Sequence, residues 1–272
     1  MDKCLGDGSI LYLGDCAEKL KLIQTGSIDL VVTDPPYDLA NMSDMDNGYY
    51  HSLPHYKEME SFATGYDIRE IGAELLRVMK SPEMYIWCNK LQIPDYFDFY
   101  VKENGLRFDI LCWHKPNVPP YFSNKYLSDT EYCLHFFGGE GKCFPTDYDS
   151  AKTFWVEPMN VEDKKYYNHP TIKPQNMIAQ LVANSSKEGD TVLDCFMGSG
   201  TTGAASVLQG RKFVGIELDK EFYKIAASRV ETALLHRKSA LGEDVVEQDL
   251  TMAQLFAPDN SDAVGDADGE EW

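Results

Sequence analysis

Residues 34–37 read Asp-Pro-Pro-Tyr and directly follow an apolar run, 28–33, that has the composition of a buried strand. The two prolines fix the backbone and lack N–H donors, so this tetrapeptide presents carbonyl oxygens, the Asp34 carboxylate and the Tyr37 ring. Acceptors beside an aromatic ring suit a planar heteroaromatic group with an NH2, which would donate to Asp34 and to the Pro35 carbonyl while Tyr37 stacks on the ring. A proline turn that only ends a strand fits these four residues equally well.

A second candidate site is residues 195–203, the glycine turn, which lies between a short apolar strand and the start of a helix. Gly198, Gly200 and Gly203 have the G-x-G-x-x-G spacing of dinucleotide-binding turns. Glu217 ends the next predicted strand, where a carboxylate can hold a ribose diol. Taken alone, this pattern is typical of nicotinamide or flavin binding, or of a turn used only for packing.

The charges around the glycine turn favour a cationic nucleoside over a dinucleotide. No Lys or Arg occurs between Asp194 and Gln209, and Asp194 ends the strand near the place where a pyrophosphate would lie. A carboxylate disfavours a phosphate but attracts an ammonium or sulfonium group. No Gly-Lys-Ser/Thr follows, which excludes a P-loop. S-adenosylmethionine has both cations and a ribose, and it is the cofactor that we predict.

Strands and helices alternate along the chain in a way that can bring both motifs to one edge of a sheet. Seven apolar runs are predicted as strands: 10–13, 28–33, 84–88, 108–113, 132–137, 191–194 and 212–216. Six helices are predicted around them: 16–23, 67–79, 94–103, 175–185, 202–209 and 220–236. This alternation is typical of an α/β fold with a mostly parallel sheet covered on both faces. The run 107–137 has two strands and no helix, so it predicts an antiparallel pair at a sheet edge.

Composition limits the possible partners. The 272 residues carry a formal charge of −19, which disfavours a polyanion, but ten of the carboxylates fall within 239–272, where no Lys or Arg occurs. Without that stretch the formal charge of residues 1–238 is −9. We therefore predict a single domain over 1–238 and a disordered acidic tail over 239–272. The seven cysteines include no Cys-x-x-Cys pair, and no run is long and apolar enough for a membrane span, so neither a metal site nor a membrane partner is predicted.

The two motifs, in this order, resemble those of the DNA amino-methyltransferases, in particular the circularly permuted class whose Asp-Pro-Pro-Tyr precedes the cofactor turn. The resemblance covers about residues 10–235 and includes two further segments, 13–16 (Leu-Gly-Asp-Cys) and 169–174 (His-Pro-Thr-Ile-Lys-Pro). It implies a Rossmann-like, S-adenosylmethionine-dependent methyltransferase fold, circularly permuted, with a seven-stranded and mostly parallel sheet. It also implies that the motifs converge on one methyl group.

The resemblance assigns a role to each residue that matches a family motif. In the family, the acid corresponding to Asp15 contacts the cofactor adenine, and segment 169–174 closes over the cofactor. The catalytic residues are then Asp34, Pro35, Pro36 and Tyr37. The cofactor-binding residues are Asp15, His169, Thr171, Lys173, Asp194, Phe196, Gly198, Ser199, Gly200, Thr201, Thr202 and Glu217.

These roles imply methyl transfer to the exocyclic amine of a base that is flipped out of DNA. In this family an Asp at the head of the tetrapeptide usually accompanies N6 of adenine, and a Ser accompanies N4 of cytosine. Adenine is therefore the predicted target, and N4 of cytosine is the nearest alternative. An RNA or protein amine methyltransferase, a non-catalytic DNA-binding subunit and a nicotinamide-dependent oxidoreductase are the others. The intact tetrapeptide argues against the subunit, and Asp194 against the oxidoreductase.

Two segments, 114–130 and 164–173, combine basic and aromatic side chains, as nucleic-acid interfaces do. With 38–66, the stretch 114–174 is expected to form loops over the active site and the DNA face. The expected DNA contacts are Lys115, Tyr121, Lys125, Lys164, Lys165 and Tyr167. Loops that only pack over the sheet are the alternative. DNA, a homodimer and a cognate restriction endonuclease are the partners considered, in the cytoplasm of a bacterial or phage-encoded restriction-modification system.

Overall fold

Nine strands form one sheet in the computed structural model, which describes residues 2–36, 66–118, 126–159 and 172–242. In chain order they are β1 (Lys3–Cys4), β2 (Ile10–Leu13), β3 (Leu30–Thr33), β4 (Glu83–Cys88), β5 (Arg107–His114), β6 (Thr130–Phe137), β7 (Phe154–Val156), β8 (Thr191–Asp194) and β9 (Lys212–Glu217). All seven predicted strands are present, and the sheet has two more than the seven expected. β1 and β7 are two and three residues long, too short for a recognisable period.

The helices are α1 (Cys16–Leu20), α2 (Ile68–Val78), α3 (Ile93–Phe97), α4 (Gln175–Ser185), α5 (Thr201–Leu208) and α6 (Lys220–Ala240). A π-helical segment, Asp98–Glu103, continues directly from α3, so the helix predicted over 94–103 is divided between two geometries. Asp67 and Asp219 begin α2 and α6, and each carboxylate accepts hydrogen bonds from two backbone N–H groups of the first turn.

Across the sheet the strand order is β1-β2-β9-β8-β3-β4-β6-β5-β7. The five strands from β2 to β4 are parallel, whereas β6 runs antiparallel to both β4 and β5. The predicted antiparallel pair is therefore present, but it is not at the edge, because β7 adds outside β5 in parallel register. The carboxyl ends of β2, β9, β8, β3 and β4 thus meet the amino end of β6 at one side of the sheet, which we call the upper edge.

Helices cover both faces of the sheet, as the alternating pattern predicted. Val31 of β3 packs in a cluster with α1 and α2, whereas Leu30 and Val32 face the opposite way and pack against α4. A third cluster around Phe213 fills the space between β9, α5 and α6. Neighbouring residues of β3 are all buried because each face has its own layer of helices.

Several predictions fall wholly or partly outside the described residues. These include most of the loop 38–66 and the tail from residue 243 onward, so the division into a domain over 1–238 and a tail over 239–272 stays a prediction. The circular permutation stays one as well. The stretch 138–174, predicted to be irregular, contains β7. Within the described residues, no helix is both long and apolar enough to cross a membrane.

Candidate active site

The two sequence motifs begin side by side at the upper edge. β3 and β8 are neighbouring parallel strands, with Val31 opposite Leu193. At their ends, Thr33 Oγ1 donates a 2.7 Å hydrogen bond to Asp194 Oδ1, although the two residues lie 161 positions apart in the chain. The tetrapeptide and the glycine turn therefore leave the sheet from adjacent positions.

Asp34 is the first residue after β3, and its side chain is half-buried at the upper edge. Its Oδ2 contacts the Nζ of Lys173, which lies directly before α4. Pro35 is buried and Pro36 is half-buried. Tyr37 lies outside the described residues, so its stacking role stays a prediction. The structure thus brings a predicted catalytic residue and a predicted cofactor residue into direct contact.

Lys173 is buried between two carboxylates. Besides Asp34, its Nζ lies 3.2 Å from Glu131 Oε2, and it sits over the Trp87 ring, 5.1 Å from the ring centroid. Burial disfavours the charged amine, but the nearby carboxylates of Asp34 and Glu131 outweigh it and raise the pKa of Lys173 above its ordinary value. The ammonium group is therefore permanently charged.

Glu131, the first residue of β6 after Thr130, is a site residue that the motif analysis missed. Burial raises the pKa of its carboxyl, but Lys173 and Lys115 outweigh burial and lower it to about 2. Lys115 was predicted to contact DNA, and its Nζ instead pairs with Glu131 over the Trp113 ring, 4.7 Å from the centroid. Its side chain is 13% exposed, so a role at the DNA surface stays a prediction that this inward geometry does not favour.

The glycine turn needs glycine for separate reasons at its three positions. Gly198 and Gly200 have φ of +51° and +81°, which L side chains rarely adopt. At Gly203, a Cβ would lie 2.6 Å from a methyl group of Val230 and 2.7 Å from the Phe213 ring. The first two glycines therefore shape the turn, and the third allows α5 to pack closely on its neighbours.

Glu217 fastens the glycine turn to the end of β9. Its Oε2 accepts a 2.8 Å hydrogen bond from Gly198 N, and its Oε1 accepts one of 2.8 Å from Asp219 N. Burial raises the pKa of the Glu217 carboxyl above its ordinary value. Leu218, directly after it, is 70% exposed although it is a large apolar residue. It is a candidate ligand contact that sequence reasoning missed, since only its position after the acid could have indicated it.

Asp194 lies beneath the glycine turn. It is buried, and its Oδ1 also accepts a 3.1 Å hydrogen bond from Phe196 N. Burial raises the pKa of its carboxyl to about 6, even though Thr33 and Thr202 donate hydrogen bonds to it. Asp194 therefore holds both motifs together as well as contributing charge near the turn.

Ser199 and Thr201 contact a buried arginine that carries no motif. Arg229 of α6 donates from Nη1 to Thr201 Oγ1 at 2.9 Å and to Ser199 Oγ at 3.4 Å, and from Nη2 to Gln175 Oε1 at 3.1 Å. It thereby joins the first residues of α4 and α5 to the glycine turn. Nothing in the pattern of α6 distinguishes it from a surface arginine.

Asp15 and Phe196 lie at the margins of the same edge. Asp15 is exposed after β2 and begins α1, where its side chain accepts a 3.1 Å hydrogen bond from Glu18 N. The ring of Phe196 is half-buried and lies 5.2 Å from that of Tyr66. The cofactor roles predicted for both stay predictions, although both residues are placed beside the glycine turn or the strand ends next to it.

The remaining predicted residues lie outside the described ones, and their roles stay predictions: His169, Thr171, Tyr121, Lys125, Lys164, Lys165 and Tyr167. All seven cysteines are free thiols. Within the described ranges, no group of three or more His, Cys, Asp or Glu side chains is arranged to hold a metal ion.

Comparison with known proteins places this architecture in a family. The sequence profile of the N6/N4 methyltransferases, described as DNA methylase, matches residues 28–228. The type II methyltransferase M2.LlaDCHI of Lactococcus lactis subsp. cremoris is 30% identical over 242 residues, covering 82% of this chain and 90% of that protein.

Two solved structures share the fold. The M1.HpyAVI–SAM complex is 24% identical with a TM-score of 0.59, covering 81% of this chain and 98% of that one. The PvuII DNA methyltransferase, described as cytosine-N4-specific, is 17% identical with a TM-score of 0.64, covering 90% of this chain and 91% of that one. The fold is thus that of S-adenosylmethionine-dependent DNA methyltransferases. Together with the profile match over most of its length, this fold shows that the chain belongs to the N6/N4 DNA methylase family.

Proposed function

We propose that this protein transfers a methyl group from S-adenosylmethionine to N6 of adenine in DNA. The observation that carries the proposal is the adjacency of the tetrapeptide and the glycine turn, joined by the hydrogen bond from Thr33 to Asp194. Family membership supports methylation of DNA. The aspartate at position 34 supports adenine over cytosine, by the association of this residue with adenine that the family resemblance implies.

The described residues have the donor set that this cofactor needs. The carboxylate of Glu217, at the end of β9, suits a ribose diol, and the exposed side chain of Leu218 beside it suits the face of an adenine ring. The Asp194 carboxylate beneath the turn favours an ammonium or sulfonium over a phosphate. When bound, S-adenosylmethionine supplies an electrophilic methyl group on a positively charged sulfur.

The tetrapeptide would activate the amine. The nitrogen lone pair of an exocyclic amine is delocalised into the base, which makes it a weak nucleophile. Hydrogen bonds from its two N–H groups to Asp34 and to the Pro35 carbonyl favour a tetrahedral nitrogen with its lone pair available. That lone pair forms the new N–C bond as the S–C bond breaks and its electrons return to sulfur. The nitrogen then loses one proton, and a secondary amine remains.

Partners and location are part of the proposal. The relative M2.LlaDCHI is named a type II methyltransferase, which supports a restriction-modification role for this chain as well. DNA is the substrate that family membership supports. A homodimer, a cognate restriction endonuclease and a cytoplasmic location are predictions that the contacts described above do not bear on.

The decisive experiment is incubation with methyl-labelled S-adenosylmethionine and unmethylated genomic DNA, followed by mass analysis of the nucleosides. Labelled N6-methyladenine is the expected product. N4-methylcytosine would overturn the adenine assignment alone, and the absence of any labelled nucleoside would overturn DNA methylation. The matched control is Asp34→Asn, which is nearly isosteric and should bind the cofactor but yield no labelled base.

A further inference from the structure

Four side chains with alternating charge extend inward from the proposed reaction centre: Asp34, Lys173, Glu131 and Lys115, here called the charge array. Lys173 Nζ contacts Asp34 Oδ2 and Glu131 Oε2, and Lys115 Nζ contacts Glu131 Oε1. Each of the two interior members therefore has an oppositely charged group on either side.

The direction of β6 explains why Glu131 reaches this place. In the antiparallel register of β6 with β4, Tyr132 lies opposite Cys88, the last residue of β4. Glu131 therefore extends just past the end of β4, at the upper edge where Asp34 follows β3. A parallel strand in the same position would bring its carboxyl end here instead.

Two tryptophans fix the cations of the charge array. The ammonium of Lys173 lies over the Trp87 ring, and that of Lys115 lies over the Trp113 ring. The two rings contact each other edge to face, with centroids 6.3 Å apart, and both are almost fully buried. An aromatic face attracts a cation most strongly where water is excluded. The array therefore has defined positions on both sides of Glu131.

We infer that Lys173 and Glu131 are positioning residues for methyl transfer, in which Lys173 holds the Asp34 carboxylate ionised and oriented while Glu131 shares the charge of that lysine. This inference rests on the proposed function. A lysine committed to Asp34 alone would neutralise the carboxylate and weaken it as an acceptor for the target amine. A lysine shared with Glu131 orients Asp34 and leaves it a strong acceptor.

A pH profile can test this because few other groups near Asp34 titrate. Besides the array, the ionisable groups that interact with Asp34 are Cys88, Cys133 and Asp194. Burial raises the pKa of the Cys88 thiol to about 12 and that of Cys133 well above its ordinary value, so both thiols stay neutral. Asp194 is present in every variant, so differences between the variants report on the array.

The experiment compares kcat as a function of pH for the full chain and three variants. Lys173→Met leaves two neighbouring carboxylates without their cation, so one of them keeps its proton to higher pH. We expect kcat at neutral pH to fall on the order of 100-fold, with the acidic limb of the profile moved to higher pH. Glu131→Gln should also lower kcat, without an upward shift of that limb. Lys173→Met/Glu131→Gln removes opposite charges together and should return the limb toward that of the wild type.

A matched control is Asp29→Asn. Asp29 is a buried carboxylate that pairs with Lys80 at 2.7 Å, directly before β3 and at the opposite edge of the sheet. Its loss should lower stability but leave kcat and the acidic limb unchanged. Glu131→Gln is nearly isosteric, so it and the double variant remain informative if Lys173→Met does not fold.

Three results would overturn the inference. An acidic limb that stays in place in Lys173→Met, or that the double variant does not restore, would show that the charges do not act on Asp34. A Lys173→Met variant whose KM for S-adenosylmethionine rises while kcat is unchanged would show that Lys173 binds cofactor instead. A wild-type protein that methylates no DNA base would overturn the proposed function itself, and this inference with it.

Discussion

The hydroxyl of Thr33 donates to the carboxylate of Asp194 across the boundary between β3 and β8, 2.7 Å from oxygen to oxygen. Both residues are buried, and each is the last of its strand. This contact fixes the distance between the start of the tetrapeptide and the start of the glycine turn. Its removal should therefore affect stability and catalysis together.

Thr33→Val tests this contact. It replaces the hydroxyl by a methyl group of similar size and leaves a buried carboxylate with one donor fewer. We expect a loss of about 1–3 kcal/mol in the free energy of unfolding, measured by urea denaturation, and a lower kcat. Thr33→Ser keeps the hydroxyl and should retain most of both. Equal unfolding curves for Thr33→Val and the wild type would contradict the prediction.

Asp194 should make the stability of the ligand-free protein depend on pH. Burial raises the pKa of its carboxyl to about 6, against about 3.9 in an unfolded chain. The folded state binds this proton more tightly, so the carboxyl contributes stability below about pH 4, and that contribution is lost as the pH rises through about 6. Asp194→Asn has no proton to lose. Its stability relative to the wild type should therefore rise between pH 4 and 7 by on the order of 2–3 kcal/mol.

Urea denaturation of both proteins at several pH values measures this difference. Parallel stability curves over that range would show that burial does not perturb Asp194. The wild-type protein carries the cost of an ionised buried carboxylate at neutral pH, which agrees with a group kept for charge near the cofactor rather than for stability.

Gly200→Ala should damage the glycine turn in two ways. The residue has φ of +81°, and a Cβ there would lie 2.9 Å from the Cα of Ala226 on α6. Gly189→Ala is the matched control, since Gly189 has φ of +86° and no atom within 4 Å of the added Cβ. The control should lose only the conformational term of about 1–2 kcal/mol. Gly200→Ala should lose more, and titration calorimetry should show weaker S-adenosylmethionine binding in Gly200→Ala alone.

Leu218→Ser should weaken cofactor binding without changing stability. The side chain is 70% exposed in the ligand-free protein, so its replacement should change the unfolding free energy by no more than about 0.5 kcal/mol. Loss of a leucine contact with the adenine ring should raise the Kd for S-adenosylmethionine about tenfold. Leu241→Ser, at the end of α6, removes a leucine that is 59% exposed and should change neither quantity. An unchanged Kd for Leu218→Ser would place the adenine elsewhere.

Removal of residues 243–272 should tighten DNA binding at low salt. This deletion eliminates ten carboxylates and spares α6, which continues to Ala240. The formal charge rises from −19 to −9, which reduces repulsion of a polyanion. The difference between full-length and truncated protein in a DNA-binding titration should shrink as salt is added. Equal affinities at low salt would mean that the tail lies too far from the DNA to act on it.

The sequence predicts this fold well where a pattern repeats. The seven apolar runs became strands because each is several residues long and lies between turn signals, and Asp67 marks the start of α2 because a capping side chain acts locally. β7 and the π-helical segment were not predictable in this way. The first has three residues, and the second differs from an α-helix only in which carbonyl each N–H reaches.

The candidate site was predictable only in its motifs. The tetrapeptide and the glycine turn are recognisable because backbone geometry restricts each position to a few residue types. Glu131 and Arg229 meet the site from distant parts of the chain, and a single charged residue in a strand or helix has no local signature. Lys173 was correctly included, but its contact with Asp34 depends on how α4 packs against β3, which no pattern within either segment specifies.

The placement of β3 between β4 and β8 has a consequence for biosynthesis. On one side β3 pairs with a strand made about 50 residues later, and on the other with a strand made about 160 residues later. Contacts of long sequence separation form late in folding. A nascent chain that has not yet released residues 191–217 has the Asp34 loop but neither β8 nor the glycine turn. Newly made protein can therefore acquire its activity only after nearly all of the described chain has left the ribosome.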